Sequence, residues 1–187
     1  MSMRFTSAFN IIGRLNGANL EQSLQKLVEF AKSRGALDAK PIAASDIVFD
    51  PRSILKCRFG CKRWGKYWTC SPNIGISIDE FKKALQCYRN AIILKSAEPK
   101  AAQEITLAVE KEAILEYGAV FAFALVLCVQ CEECAFPEPC GFPEKARPSM
   151  DGLGIDVVKT VESLGFKVEF DKTGSLLPAW FTMVLVD

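Results

Sequence analysis

The sequence predicts a single α/β domain, with a mixed, mostly parallel sheet that is flanked by helices and interrupted by cysteine-rich loops. Two observations support this class. Short apolar runs suited to buried strands alternate along the chain with segments of helical periodicity. Half of the 187 residues are hydrophobic, which is enough for one domain with a full core. Because no repeat or low-complexity tract interrupts the chain, residues 1–187 are expected to form one unit.

Four helices are predicted from periodicity and from end signals. Leucine and phenylalanine recur at helical spacing in the first helix, and Gly35 follows its end. A capping-box pattern that starts at Ser77 begins the second helix, and Pro99 begins the third. Gly118 and Gly165 are suited to ending the third and the fourth. The predicted helices cover residues 19–33, 77–88, 99–117 and 151–164.

Five strands are predicted from short apolar runs, at residues 46–49, 91–95, 120–127, 166–170 and 179–186. The run at 120–127 is continuous, which is typical of a central strand covered on both faces. Because strands alternate with helices, most of them should be parallel, with the last two forming an antiparallel edge pair. The segment 57–75 is rich in glycine and aromatic residues and is predicted to be a loop.

The balance of charge gives no indication of a nucleic-acid or membrane partner. Lysine and arginine together exceed aspartate and glutamate by one, so the net charge is +1. The N-terminal residues contain neither a long apolar stretch nor a clear cleavage site, so we expect no signal peptide and no transmembrane span. These features predict a cytoplasmic protein that binds neither nucleic acid nor membranes.

Eight cysteines and no histidine restrict the chemistry of the chain. In a cytoplasmic protein of this size, many cysteines indicate metal or redox chemistry rather than disulfides. Without histidine there can be no mixed Cys/His zinc site, no His-ligated Rieske-type cluster and no Ser–His or Cys–His nucleophile. Any metal must be held by thiolates, together with a carboxylate or a water. The sequence indicates no catalytic residue.

The stretch CVQCEECAFPEPC carries Cys128, Cys131, Cys134 and Cys140. Its first three cysteines match the opening of the bacterial ferredoxin run, C-x2-C-x2-C-x3-C-P, in which one short loop surrounds three corners of a cubane cluster. Cys140 departs from that run, because five residues precede it and a glycine follows it. Tetrahedral zinc usually takes cysteines in separated pairs instead. The spacing therefore predicts a [4Fe–4S] cluster held by these four thiolates, with zinc as the alternative.

The stretch CRFGCKRWGKYWTC carries Cys57, Cys61 and Cys70, with the less diagnostic spacing C-x3-C-x8-C. Aromatic residues surround these thiols and are suited to excluding water from a metal centre. The three cysteines are therefore predicted to be metal ligands as well. The remaining cysteine, Cys87, lies off the apolar stripe of its predicted helix and is expected to bind no metal.

The two cysteine segments carry opposite charge. Residues 51–70 contain six lysines and arginines, whereas residues 128–144 contain four glutamates and no basic residue. Nearby cations stabilise an anionic cluster, and opposite charges favour packing of one loop against the other. We therefore expect the two segments to lie side by side, although about sixty residues separate them.

Taken together, the two motifs resemble a prokaryotic family of cysteine-rich "predicted metal-binding proteins" of unknown function. The resemblance extends from about residue 45 to the end of the chain and includes the RPSM element at residues 147–150 and the GID element at 154–156. The first motif of that family usually ends in Cys-Pro-Pro, whereas here Cys70 is followed by Ser71 and Pro72. The resemblance implies metal binding and no particular reaction, and it does not include Cys87.

These patterns predict an iron–sulfur protein with one or two [4Fe–4S] clusters and a redox or electron-transfer role. The alternatives are a zinc protein with a structural or regulatory role, and an enzyme whose three-cysteine cluster leaves one iron open to substrate. Two neighbouring centres are preferred, because seven clustered cysteines exceed what one cubane can use. The first centre would then take a non-cysteine fourth ligand, exchange Cys70 and Cys140 between the segments, or recruit Cys87. Electron transfer also requires a redox partner protein, whose identity the sequence does not indicate.

Overall fold

Four antiparallel strands form one sheet in the computed structural model, which describes residues 17–170, 172 and 179–187. The strand order is β1–β2–β4–β3. The strands are β1 (Asp38–Ala43), β2 (Asn90–Ser96), β3 (Phe123–Leu125) and β4 (Trp180–Val186). The α-helices are α1 (Gly17–Ser33), α2 (Arg52–Gly60), α3 (Ile78–Leu85), α4 (Pro99–Tyr117) and α5 (Val157–Ser163), and two short 3-10 helices are η1 (Ala44–Asp46) and η2 (Asp151–Leu153).

The prediction of a mostly parallel sheet is wrong, because each pair of neighbouring strands is antiparallel. β2 and β3 both run antiparallel to β4, so they are parallel to each other, as expected for two strands joined by a helix. However, β4 lies between them and pairs with both. The C-terminal strand is therefore an interior strand and not part of an antiparallel edge pair. Local sequence cannot show this insertion, because the pairing joins distant parts of the chain.

The apolar runs of the interior strands reflect a sheet that is covered on both faces. Ile92 and Val184 are fully buried in a core formed with α1 and α4. Their neighbours Ile93 and Met183 are also fully buried, in a second core formed with α3 and α5. Successive residues of a strand point to opposite faces, so a doubly covered antiparallel strand has the same apolar run as a parallel one.

Both edge strands, β1 and β3, differ from the predicted strands, and the position of β1 at the edge explains why it was not predicted. In the described sheet, β1 is an edge strand whose neighbour is β2, so it tolerates Pro41 and two charged residues. These residues interrupt the apolar run by which a strand would be predicted. The strand predicted at 46–49 is absent, and Phe49 makes only an isolated bridge to Ile155.

The strand predicted at 120–127 is shorter than expected. This run contains a three-residue edge strand, and Phe121, which precedes that strand, is exposed. Residues 166–170 contribute no strand to the described sheet.

The helix predictions are largely confirmed. α4 spans the predicted residues and ends at Gly118 with a φ of 68°, and the capping box of Ser77 and Glu80 begins α3. The segment 57–75 is not entirely a loop, because α2 continues to Gly60. This helix buries no residue, so it lacks the apolar stripe that would reveal it. None of the described helices is both long and apolar enough to cross a membrane.

The helix predicted at 151–164 is divided in two by Gly154, which has a φ of 89° and separates η2 from α5. A β-carbon at this position would lie 2.9 Å from a methyl carbon of Ile78. Both the backbone conformation and the space therefore require glycine.

Gly154→Ala should lower the free energy of unfolding by about 2–4 kcal/mol, because backbone strain and a clash with Ile78 add together. Gly118→Ala is the matched control, since Gly118 also has a positive φ but no atom within 4 Å of the added carbon. That variant should lose only about 1 kcal/mol. Denaturant midpoints under identical conditions measure both losses. Equal losses in the two variants would contradict the close contact with Ile78.

Candidate metal centre

The first thiol group, Cys57, Cys61 and Cys70, begins on a helix. Cys57 lies in the last turn of α2, and the backbone N–H of Cys61 donates to the Cys57 carbonyl at 3.2 Å. The C-x3-C spacing therefore places two thiols one helical turn apart. The chain then turns at Gly65, which has a φ of 68°, and brings Cys70 close enough to interact electrostatically with both of the other thiols.

A carboxylate lies against one of these thiols. The Cys57 thiol donates to Oδ2 of Asp151, with a sulfur–oxygen distance of 3.6 Å. Asp151 is the first residue of η2, and the adjacent backbone is anchored because the Ser71 hydroxyl donates to the Gly152 carbonyl at 3.0 Å. Cysteine spacing did not indicate this residue. Its signal in the sequence is its position directly after the RPSM element.

Burial and charge together raise the pKa values of two of these thiols, Cys57 and Cys70, in the metal-free protein. Desolvation and then the Asp151 carboxylate are the main causes that raise the pKa of Cys57 to about 12. The pKa of Cys70 rises to about 11, because of burial and then the neighbouring Cys61, while Arg63 opposes the rise. A metal cation that binds here must displace these protons, so its binding should strengthen as pH increases.

An open cleft of about 1060 Å³ borders the first thiol group. Its wall includes Cys57, Cys61 and three carboxylates, those of Asp50, Asp151 and Asp156. Asp50 pairs with Arg52, and Asp156 pairs with Lys159 at 3.2 Å. Within the described residues, the Asp151 carboxylate forms no ion pair, and its hydrogen-bond partner is the Cys57 thiol.

The second thiol group consists of Cys128, Cys131, Cys134 and Cys140, and all four line one small cavity of about 30 Å³. The pKa of Cys131 is raised, first by partial desolvation and then by its neighbours Cys128, Cys140 and Cys134. Cys131 therefore lies within electrostatic reach of the other three cysteines. Aromatic residues of both cysteine segments, among them Trp68 and Phe142, complete the wall of the cavity.

Gln103 of α4 holds this loop at both of its ends, and sequence reasoning did not identify it. The side chain is fully buried, and its Oε1 accepts from the backbone N–H of Val129 at 2.8 Å. Its Nε2 donates to the Lys145 carbonyl at 3.1 Å and lies 3.8 Å from Sγ of Cys128. The amide therefore fixes the loop and directs an N–H toward a predicted ligand sulfur.

Glu110, two turns further along α4, anchors the end of the same loop. Arg147 makes a bidentate ion pair with this carboxylate, with distances of 3.0 and 2.9 Å. Oε1 of Glu110 also accepts from the backbone N–H of Ala124 in β3 at 2.9 Å. The pair is largely buried, and bidentate geometry satisfies both charges.

The expectation that the two cysteine segments lie side by side is confirmed. The Arg63 guanidinium donates to the Cys128 carbonyl at 2.7 Å, and the Trp68 indole donates to the Glu138 carbonyl at 2.8 Å. The Trp68 ring also packs edge-on against Phe136. Within the described residues, these contacts involve backbone carbonyls and rings, and no ion pair joins the segments. The opposite charges of the two segments therefore predicted that the segments lie close together, but they did not predict which atoms are in contact.

Cys87 lies apart from both thiol groups. It lies just after the end of α3, and its side chain is exposed. Within the described residues, the hydrogen-bond partner of its thiol is the Lys83 carbonyl, at 4.0 Å. It contributes to neither cavity wall. Cys87 is therefore separate from both groups of predicted ligands.

The donor set suits a thiolate-bound metal, because it consists of seven thiols and one carboxylate. In the part of the chain that the structure describes, no group of three or more Cys, Asp or Glu side chains already has an arrangement that could hold a metal ion. Each thiol group surrounds its own candidate site, but the sulfur atoms of a group do not converge on one point.

Asp151→Asn should lower the pKa of Cys57, because the amide removes the negative charge that disfavours the thiolate. In metal-free protein at pH 8, the rate of Cys57 alkylation by iodoacetamide should therefore rise about tenfold for each unit of pKa lost. Peptide mass spectrometry would measure the rate. Asp156→Asn is the control, because it lies in the same cleft and asparagine also caps a helix well. An unchanged Cys57 rate in Asp151→Asn would contradict the contact.

Comparison with known proteins identifies a family. Residues 40–186 match the family described as "Predicted metal-binding protein (DUF2284)". This range includes both thiol groups, Asp151 and Gln103, and it confirms the resemblance that the two cysteine motifs indicated. No curated protein and no solved structure matches the chain. Because the match covers most of the sequence, the chain belongs to the DUF2284 family of predicted metal-binding proteins.

Proposed function

We propose that the protein is an iron–sulfur protein that holds a [4Fe–4S] cluster at each thiol group and transfers electrons to a partner protein. Metal binding is the property that describes the family, and the iron, the sulfide and the redox role are the proposal. One observation carries it. Four cysteines, the first three with ferredoxin-like spacing, line a single cavity that aromatic side chains help to enclose.

At the second thiol group, Cys128, Cys131, Cys134 and Cys140 would hold the cluster, after their side chains turn toward a common centre. The bound cluster would supply one-electron redox chemistry. Trp68 lines the cavity and would limit access of water to the cluster, which affects the potential of such a centre. The Gln103 N–H close to Cys128 would stabilise negative charge on the ligand sulfur.

At the first thiol group, Cys57, Cys61 and Cys70 would hold a second cluster. The arrangement supports two separate ligand sets over an exchange between segments. Cys70 interacts with Cys61, whereas Cys140 lines the other cavity. Arg63, which contacts the Cys128 carbonyl and acts on Cys70, would provide positive charge between two anionic centres.

The side-by-side packing of the two segments supports a role in electron transfer, because electrons could pass between neighbouring centres inside one domain. A cytoplasmic location remains part of the proposal, since thiolates in a reducing compartment stay available for metal. The redox partner is expected to be another protein.

A second candidate function is an enzyme in which the cluster at the first thiol group reacts with a small molecule. The open cleft beside Cys57 and Cys61 favours this possibility, because it leaves room for a substrate next to the predicted centre. A small molecule that changes the spectrum of this centre alone would support it. A colourless protein with zinc and no sulfide would instead support the structural zinc alternative.

Anaerobic purification should yield a brown protein with about eight irons and about eight acid-labile sulfides per chain, as two cubane clusters require. Cys131→Ala should retain about four irons, because the second thiol group loses one of its four ligands while the first remains. Elemental analysis for iron, sulfide and zinc measures these contents.

Cys87→Ala is the matched control for this loss, since Cys87 borders neither cavity, and its metal content should stay unchanged. Full iron or zinc content in Cys131→Ala would overturn the assignment of the second thiol group. About four irons in the unmodified protein, lost equally from Cys70→Ala and Cys140→Ala, would replace two centres with one composite site.

Gln103→Met should lower the reduction potential of the second centre by tens of millivolts, because it removes an N–H that stabilises the more negative reduced state. Gln130→Met is the control. The Gln130 amide donates to Oε1 of Gln103 at 3.2 Å, so its loss weakens the loop without removing the N–H near sulfur. Protein-film voltammetry compares the potentials. Equal shifts in both variants would assign Gln103 a purely structural role.

A further inference from the structure

We propose that the Asp151 carboxylate supplies the fourth ligand of the metal centre at the first thiol group, beside Cys57, Cys61 and Cys70. The inference rests on the proposed function, because it requires a cubane cluster at this group. Three thiolates leave one corner of such a cluster without a protein ligand. The groups that lie next to the thiols indicate which residue completes the set.

Asp151 is the carboxylate in direct contact with the group. Its Oδ2 lies 3.6 Å from Sγ of Cys57, and it lines the same cleft wall as Cys57 and Cys61. Its charge also acts on the buried thiol of Cys70. The carboxylate therefore contacts one thiol of the group, lies within electrostatic reach of a second and shares the cleft wall with the third.

The other carboxylates of the cleft are already engaged. Asp50 accepts hydrogen bonds from the Arg52 guanidinium and backbone, and Asp156 caps α5 by accepting from the Lys159 N–H at 3.0 Å. In the described part of the chain, Asp151 has no such cation or capping contact. Among the described residues, the hydrogen-bond partner of its carboxylate is a thiol that would itself become a ligand.

The candidate cysteines for the fourth position are less suitable. Cys140 lines the cavity of the second thiol group, where it interacts with Cys131. Cys87 is exposed beyond the end of α3 and lines neither cavity. Neither of them lines the cleft beside the first thiol group, whereas Asp151 already contacts Cys57.

The fold holds Asp151 in this position. The residues around it, Met150 and Leu153, are buried in the core beneath α3. The Gly152 carbonyl accepts from Ser71, which directly follows Cys70. Asp151 is therefore fixed against the same segment that carries the third thiol.

A carboxylate oxygen is a harder and weaker ligand for cluster iron than a thiolate. The iron at this corner should consequently be the one that the protein releases most easily, and it faces the open cleft. Ease of iron release therefore distinguishes the two centres, because the second thiol group offers a cysteine sulfur for each of the four irons. It also provides a test that does not depend on any enzymatic activity.

Limited oxidation of the anaerobic protein with ferricyanide tests the proposal. Ferricyanide takes one electron from a [4Fe–4S]2+ cluster, and the resulting [4Fe–4S]3+ cluster releases one Fe2+ to leave [3Fe–4S]+. The unmodified protein should fall from about eight to about seven irons and acquire the electron paramagnetic resonance signal of a three-iron cluster. Asp151→Cys should keep about eight irons and show no such signal, because a thiolate replaces the carboxylate.

Two further variants make the outcome specific. Asp50→Cys adds a thiol to the same cleft away from the proposed corner, so it should lose one iron as the unmodified protein does. Asp151→Asn should contain about seven irons before any oxidation, because a neutral amide is a poor ligand. The spectrum of the second centre reports whether each variant is folded.

Loss of one iron from Asp151→Cys as easily as from the unmodified protein would overturn the assignment of Asp151. So would an Asp151→Asn variant that keeps about eight irons. In either case the two clusters, and hence the proposed function, would still stand. An unmodified protein that contains neither iron nor sulfide would instead refute the proposed function itself.

Discussion

The position of the second thiol group depends on two buried polar side chains of α4, Gln103 and Glu110. β3 is only three residues long, and the chain from 126 to 150 forms neither helix nor strand, so the sheet cannot hold this loop. Gln103 bonds the loop near both ends, and Glu110 pairs with Arg147 where the loop returns. Leaving either group buried without its partner would cost about 1–3 kcal/mol, so the loop and the helix stabilise each other.

A different constraint positions the first thiol group. α2 buries none of its own residues, so its orientation depends on contacts at its ends. The backbone N–H of Asp50, just before the helix, donates to the Gly154 carbonyl at 3.0 Å, and Phe49 bridges to Ile155. These contacts place η2 beside the end of α2 and so bring Asp151 to Cys57. The positive φ of Gly154 makes this close approach possible.

The candidate ligands were predictable, but the residues that position them were not. The spacing of the cysteines indicated both thiol groups, and the position of Cys87 off the apolar stripe of its helix set it apart from them. Gln103 and Asp151 are common residue types with no diagnostic spacing. Each acquires its role from a contact across 25 or more residues, with Cys128 for Gln103 and with Cys57 for Asp151. The opposite charges of the two cysteine segments indicated that the segments lie close together. Charge acts over distance, so it did not specify which residues are in contact.

The sequence by itself determined the elements that depend on neighbouring residues. The capping box of α3, the start of α4 at Pro99 and its end at Gly118 are local interactions, and each is found where it was predicted. Tertiary structure alone decided the direction and order of the strands. A continuous apolar run indicates that a strand is covered on both faces. The run looks the same whether the neighbouring strands are parallel or antiparallel. The insertion of β4 between β2 and β3 follows from pairing across the whole chain, which no local pattern records.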